Sequence, residues 1–352
     1  MVSSYLKDLW AEIQKELDDK HPGWKGEIDL FYDHIDCVEE NCLNEKEDFE
    51  ERSEPHANCP PSAGRIARSR GSFRKMPGNA GLLSYRLIFK CFVFGLLSNS
   101  TEWSKVMSAI QKPVLSGHFC GYNPTLLQNV PDDYLMNIMY WFIGQGAASS
   151  YLRRGLFGLR ATAHIFSEAI SRCGFLSRYF DCVQGNDHDI CLVCRFGTYG
   201  GRFKLPGFGI PLASESLKNA GYDIAKPDRH INRAMGCFGL VAFGKWPRSG
   251  GWSAPVSPTI RELREVMWVM DQFAKEAGVP VAFLDAAIWK LCAQSGPHLT
   301  NRALSRIAAR CGSLPAKLEP IPCVSCIPNK NIAAFACVSS KPKGTNLQAS
   351  IQ

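Results

Sequence analysis

The fold is decided by one stretch, residues 204–233, which reads KLPGFGIPLASESLKNAGYDIAKPDRHINR. A tight turn is expected at its start, because Gly207 and Gly209 can adopt backbone angles that a Cβ atom disfavours and Pro206 presets one turn dihedral. A Gly-x-Gly turn before a helix leaves backbone N–H groups free to bind a phosphate. A turn that only joins two core helices has the same signature, so the pattern leaves both interpretations open.

The residues around this turn predict helices. Pro211 suits the first turn of a helix, where its missing N–H loses no partner, and Gly221 suits the position just past the last turn. We therefore expect a helix before the turn, a second helix over 211–219 and a third helix that starts near Asp228. The hairpin as a whole covers residues 204–219.

The stretch resembles the helix-hairpin-helix DNA glycosylase superfamily in three features: LPGFG at 205–209, the short helix, and Asp228 followed by Arg229-His230-Ile231. In that superfamily the hairpin grips a DNA phosphate, often with a bound monovalent cation, and the Asp lies at the mouth of the base pocket. The resemblance extends over about residues 81–295. It implies an all-α, two-lobed fold with DNA bound across the cleft.

The resemblance assigns a role to each residue of the motif. It makes Asp228 the catalytic carboxylate, although an Asp at this position would also serve as an ordinary helix N-cap. It further implies that a loop after an early buried helix fills the gap left by an extruded base. Asn99 and Ser100 match that loop, and a simple helix cap is the alternative. The residues expected to contact DNA are Lys204, Leu205, Gly207, Phe208, Gly209 and Ile210.

One position departs from the superfamily pattern. Members that also cut the DNA strand carry a Lys just past the hairpin, where this chain has Pro211. The resemblance therefore implies a monofunctional enzyme. It requires no cofactor, and a monovalent cation at the hairpin is the one bound ion that it suggests.

The 15 cysteines are irregularly spaced. Two CxxC pairs, Cys191/Cys194 and Cys323/Cys326, have the spacing of zinc ligands, but more than a hundred residues separate them. The four closely spaced cysteines of the iron–sulfur glycosylases are absent. We therefore expect no metal centre, and the cysteine pattern indicates free thiols in a reducing compartment.

Composition limits the partners and the location. A net charge of +7 over 352 residues suits a polyanion, and double-stranded DNA is the partner that the resemblance implies. The most apolar run, residues 87–97, contains Lys90 and is too short to span a bilayer. The sequence predicts a monomer in the cytoplasm or nucleoid, with no membrane association.

The chain divides into four segments by composition. Residues 1–43 begin with an amphipathic helix, and residues 44–80, rich in Pro, Ser, Gly and Arg, predict a flexible linker. Residues 81–312 show almost no period-two alternation, which favours an all-α core of the helix-hairpin-helix type. Residues 313–352 form a Pro/Ser/Lys-rich tail that we expect to be loosely ordered.

The expected chemistry is base excision in DNA repair. Cleavage of an N-glycosidic bond develops positive charge on the sugar, and a carboxylate beneath the sugar stabilises that charge once the base has left the stack. Two other functions remain open: a non-catalytic helix-hairpin-helix DNA-binding protein, and a base-modification enzyme on the same scaffold. An open, aromatic-lined cavity facing Asp228 would favour excision, and a filled one would favour binding alone. The sequence does not identify the base.

Overall fold

The fold is all-α, as the sequence predicts. The computed structural model describes residues 2–28, 85–99, 103–185, 187–246, 251–293 and 297–312, and within these ranges it contains no β-strand. A short helical stretch follows the first helix at 24–28, and a 3-10 turn lies at Cys120–Tyr122. The helices are, in chain order, α1 (Val2–Lys20), α2 (Tyr85–Leu97), α3 (Trp103–Ile110), α4 (Val114–His118), α5 (Pro124–Leu127), α6 (Asp132–Gly144), α7 (Leu152–Cys173), α8 (Leu176–Gln184), α9 (Asp189–Gly197), α10 (Ile210–Asn219), α11 (Arg229–Cys237), α12 (Ile260–Ala277), α13 (Val281–Cys292) and α14 (Asn301–Arg310).

The predicted succession of helix, turn and helix around residue 207 is confirmed. Helix α9 ends at Gly197, a loop follows, and α10 starts at Ile210 and packs against α9. Helix α10 ends at Asn219, and Gly221 has φ +92°, as expected for the residue that terminates a helix. Helix α11 starts directly after Asp228.

The buried apolar side chains form two separate clusters. The first hydrophobic cluster is built by α2 to α10 and extends along the chain to Ile224. The second hydrophobic cluster takes over at the next residue, Ala225, and is built by α11 to α14 together with α1. Helix α12 contributes to both, since Met267 and Trp268 belong to the first cluster while its other buried apolar residues belong to the second.

Helix α1 is an integral part of the second cluster. Its stripe of Leu6, Leu9, Ile13 and Leu17 is fully buried against α12, α13 and α14. An ion pair between Arg310 and the glutamates of α1 adds to this contact at its edge. The N-terminal segment is therefore held by the C-terminal helices, far from it in sequence.

Some of the expectations concern residues outside the described ranges. The predicted linker 44–80, the tail 313–352 and Ser100 all lie there, as do residues 29–43 of the N-terminal segment. Among the helices of the described ranges, none is long and apolar enough to cross a membrane.

Candidate functional site

The hairpin turn is closed by its own backbone. The Phe208 N–H donates to the Leu205 carbonyl at 3.2 Å, with Pro206 and Gly207 between them. Gly207 has φ +84°, the left-handed conformation that the third residue of a type II turn requires. Gly209 was expected to need similar freedom, and that expectation is wrong, because its φ of −84° and ψ of 174° are open to any residue.

The hairpin rests on α7 through backbone contact. A Cβ atom on Gly158 would lie 2.5 Å from the Cα of Gly207, so the two chains approach closely only because both residues are glycine. One turn further along α7, the Thr162 hydroxyl donates to the Pro206 carbonyl at 2.9 Å. On the other side, a Cβ on Gly197 would lie 2.6 Å from the backbone of Ile210. The turn is therefore fixed on two sides.

The six residues expected to contact DNA divide into two kinds. The side chains of Leu205, Phe208 and Ile210 are buried in the first cluster, so they hold the hairpin and cannot reach a ligand. Gly207 and Gly209 are exposed and offer only backbone. Within the described part of the chain, no acceptor is found for the N–H groups of Gly209 and Ile210, which open α10.

Lys204 folds back onto the turn. Its Nζ donates to the Leu205 carbonyl at 2.8 Å and also to the Phe208 carbonyl. Burial and the nearby Arg154 guanidinium lower the pKa of Lys204 to about 8. The ammonium group is therefore part of the hairpin structure.

Exposed aromatic and basic side chains surround the hairpin loop. The Tyr199 side chain is 92% exposed, Arg202 lies over the Phe203 ring at 5.4 Å, and Arg153 and Arg154 are exposed at the start of α7. Tyr199 and Arg202 are not among the residues that the hairpin motif predicts at the site. The sequence does contain a signal for them, a tyrosine and an arginine beside Gly200 and Gly201, because a glycine-rich loop leaves such side chains exposed.

Asp228 is the N-cap of α11. Its Oδ1 accepts the N–H groups of His230 at 2.8 Å and Ile231 at 3.1 Å. Its Oδ2 lies 4.0 Å from the Nζ of Lys226, and the side chain is 16% exposed. The capping interpretation of Asp228 is thus correct, and one carboxylate oxygen remains outside the cap.

A buried chain of charged groups leads from the second cluster to Asp228. Lys218 Nζ lies 2.7 Å from Asp285 Oδ2 and 3.0 Å from Glu215 Oε2. Glu215 Oε2 lies 3.7 Å from Lys226 Nζ, which in turn contacts Asp228. We call these five residues the Asp228 cluster. It contains two ammonium groups and three carboxyl groups at the junction of the two hydrophobic clusters.

Burial and pairing act in opposite directions within the Asp228 cluster. Burial raises the pKa of Asp285 to about 6, although the Lys218 ammonium opposes this. Glu215 is also fully buried, but the ammonium groups of Lys218 and Lys226 outweigh burial and lower its pKa to about 2. Glu215 is therefore an anion that links both lysines at neutral pH.

The loop after α2 reaches this cluster. Lys226 Nζ donates to the Ser98 hydroxyl at 3.4 Å, and Asn99 is the next residue along the chain. The structure thus brings the loop that contains Asn99 close to Asp228. The two residues are 129 positions apart in the sequence. Ser98 and Lys226 were not among the predicted site residues, because only the tertiary fold places them together.

The rest of the Asp228 motif is structural. Arg233 is buried and donates to the carbonyls of Leu299 at 2.7 Å and Cys292 at 3.0 Å, so it ties α11 to the ends of α13 and α14. Burial lowers the pKa of His230, although Asp228 opposes this, and the ring contacts Trp289 edge-on at 6.2 Å. Arg233 and His230 therefore hold α11, and with it the Asp228 cap, against α13 and the start of α14.

The described residues contain no group of three or more His, Cys, Asp or Glu side chains arranged to hold a metal ion. Cys191 and Cys194 are both buried in α9, and the second CxxC pair lies outside the described ranges.

Comparisons with known proteins add no relative. No family model matches the chain, and neither a curated protein nor a solved structure matches it.

Proposed function

We propose that this protein is a monomeric DNA base-excision glycosylase with a two-lobed helix-hairpin-helix fold, and that Asp228 promotes hydrolysis of the N-glycosidic bond. The observation that carries the proposal is the arrangement along α10. At its N-terminus lie the N–H groups of Gly209 and Ile210, for which the described residues provide no acceptor and which suit a phosphate. Glu215, in the same helix, leads through Lys226 to Asp228.

Helix α10 connects the two parts of the proposed site. Glu215 lies six positions after Gly209, about 9 Å along the helix axis at 1.5 Å per residue. We propose that a DNA strand bound by a phosphate at Gly209 extends to Asp228, which Glu215 contacts through Lys226.

The chemistry follows from the two oxygens of Asp228. Oδ1 accepts two N–H groups of the α11 backbone, which fix the orientation of the carboxylate. Oδ2 faces Lys226 and is the atom that would stabilise positive charge on the sugar or orient a water molecule. The target base must first be extruded from the duplex, and the loop at Asn99 and Ser100 is the proposed filler of the gap.

A panel of duplexes tests the proposal, each with one damaged or modified base and assayed for abasic sites under single-turnover conditions. Release of one base class by the full chain is the expected result. Binding to every duplex without any abasic site would favour the non-catalytic DNA-binding protein. A change in base mass without base release would identify a base-modification enzyme.

We propose hydrolysis without strand cleavage. Pro211 occupies the first turn of α10, so this position offers no amine for a Schiff base. The amine beside Asp228 belongs to Lys226, whose contacts with Glu215, Asp228 and Ser98 hold it within the cluster. We expect abasic sites that break only after alkali treatment.

Borohydride trapping checks this part of the proposal. A covalent protein–DNA adduct would contradict monofunctional hydrolysis. If the adduct disappeared in Lys226→Arg but persisted in Lys290→Arg, Lys226 would be the nucleophile. Lys290 is a suitable control because its ammonium group is paired with Glu27, outside the Asp228 cluster.

A further inference from the structure

The ammonium group of Lys204 lies in the hairpin turn where a bound cation would be expected. Its ammonium group bonds to the carbonyls of Leu205 and Phe208, the first and last residues of the turn. Carbonyl oxygens in this position are also the ligands that a hard cation would use. The monovalent cation expected at the hairpin therefore does not fit while the Lys204 ammonium group occupies the two oxygens.

After its two contacts with the turn, the Lys204 ammonium group still has one N–H donor and a positive charge with which to bind an anion. An ammonium group has three N–H donors, and two of them reach the turn carbonyls. Within the described residues, no carboxylate forms an ion pair with Lys204, and its charged neighbour is the Arg154 guanidinium. The hairpin thus carries a positive charge that no carboxylate of the described residues neutralises, next to the start of α10.

We propose that the Lys204 ammonium group is the built-in cation of this hairpin. It replaces a free Na⁺ or K⁺ ion at the Leu205 and Phe208 carbonyls, and its remaining donor binds the DNA phosphate. The second half of this statement rests on the proposed DNA-binding function, and the first half does not. The two halves are therefore tested separately.

The first experiment uses the full chain without DNA. Thermal melts are recorded in KCl, NaCl and tetramethylammonium chloride at equal ionic strength, since the tetramethylammonium ion is too large for the two carbonyls. The parent protein should melt at the same temperature in all three salts. Lys204→Ala should melt about 2 °C or more higher in KCl than in tetramethylammonium chloride, because K⁺ can then bind the vacated carbonyls and stabilise the folded state.

The control is Arg202→Ala, which removes one positive charge from the same exposed loop without touching the turn carbonyls. Its melting temperature should not depend on the cation. A parent protein stabilised by K⁺ over tetramethylammonium would overturn the built-in cation, and so would a Lys204→Ala protein that ignores the cation.

The second experiment measures affinity for an undamaged fluorescent duplex in the same salts. Parent affinity should not depend on the cation. Lys204→Met should bind about tenfold more weakly in tetramethylammonium chloride, because a charge-assisted phosphate contact is lost, and the loss should be smaller in KCl. Arg202→Met should weaken binding equally in all salts.

The outcomes separate the two proposals. If Lys204→Met bound DNA as tightly as the parent in every salt, the phosphate contact of Lys204 would be wrong while the proposed function stood. If the parent failed to bind DNA in any salt, the proposed function and the phosphate contact would fall together. The thermal melts would still test whether the Lys204 ammonium group takes the place of a free cation.

Discussion

The hairpin turn and the Asp228 cluster are both polar sites served by α10, but they are built in opposite ways. The hairpin turn, residues 204–210, offers backbone groups for binding, and Gly207 and Gly209 in it are exposed. All of its residues lie within seven consecutive positions. The Asp228 cluster consists of side chains from α10, α13 and the segment before α11, and Glu215, Lys218 and Asp285 in it are buried. Local chain geometry specifies the first site, and packing of distant helices specifies the second.

This difference suits the two proposed tasks. A backbone site binds any phosphate and carries no base information, so its geometry needs only a rigid turn. A catalytic carboxylate needs fixed orientation and controlled ionisation, which buried partners provide. We therefore expect changes at the hairpin to alter DNA affinity, and changes in the Asp228 cluster to alter stability or excision.

Glu215→Ala should have the largest effect, because it leaves Lys218 and Lys226 without the anion between them. Breaking a buried ion pair costs about 3–5 kcal/mol of unfolding free energy. Urea titration monitored by circular dichroism measures this loss. The matched control is Glu168→Ala, whose carboxylate pairs with Arg172 at 3.6 Å on the exposed face of α7 and should change stability by less than about 1 kcal/mol. Equal losses in the two variants would contradict the buried linkage.

Asp228→Asn should reduce single-turnover excision by about 10² to 10³-fold, the scale observed when one electrostatic stabiliser is removed. Its stability should stay close to that of the parent, because Asn caps a helix about as well as Asp. DNA affinity should be equal or higher, since an anion near the DNA is removed. Asp228→Ala, which loses the cap, should be less stable by about 1 kcal/mol. Full excision by Asp228→Asn would end the catalytic assignment.

The two hairpin glycines form a matched pair. Gly207→Val forces a side chain into positive φ, with its Cβ 3.0 Å from the Cα of Gly158, and should lower stability by about 1–3 kcal/mol. A Cβ on Gly209 meets only Pro211 Cδ, at 3.8 Å, so Gly209→Val should fold normally. It should still weaken binding to all duplexes about tenfold by covering the phosphate site. Unchanged affinity of the folded Gly209→Val protein would remove the hairpin from the DNA interface.

The pH dependence of DNA affinity should be the smallest effect. Because burial and Arg154 lower the pKa of Lys204 to about 8, this side chain loses its positive charge as pH rises from 7 to 9. Arginine side chains keep their charge in this pH range, so affinity should fall by a few-fold through Lys204 alone. Lys204→Arg should show a flatter profile by fluorescence anisotropy. A parent profile as flat as that of the Arg variant would argue against a phosphate contact by Lys204.

The sequence predicts the elements whose signals are local. In α12, for example, Thr259 and Glu262 form a capping box, and Gly278 ends the helix with φ +70°. The hairpin turn and the Asp228 cap are also encoded within a few residues. Helix α8 and the short helices α4 and α5 have no comparable local signal, because tertiary packing stabilises them, and the sequence does not predict them.

The cluster around Asp228 could not be predicted, because its members are brought together by the fold. Asp285 lies 57 positions after Asp228, and Ser98 lies far before it. One signal was available in the sequence. Glu215 and Lys218 are three positions apart in a helix whose other neighbours are mostly apolar or small, and such charges in a buried helix require partners.

The sharing of the second hydrophobic cluster between α1 and the C-terminal helices has a consequence for synthesis on the ribosome. The first cluster is complete once the chain has been made as far as Ile224, apart from Met267 and Trp268. The apolar face of α1 must wait for α12 to α14 to emerge, about 240 residues later. At about 5–20 residues per second, that delay is on the order of tens of seconds. During this interval Leu6, Leu9, Ile13 and Leu17 lack the helices that bury them, so the apolar face of α1 stays exposed to non-specific association.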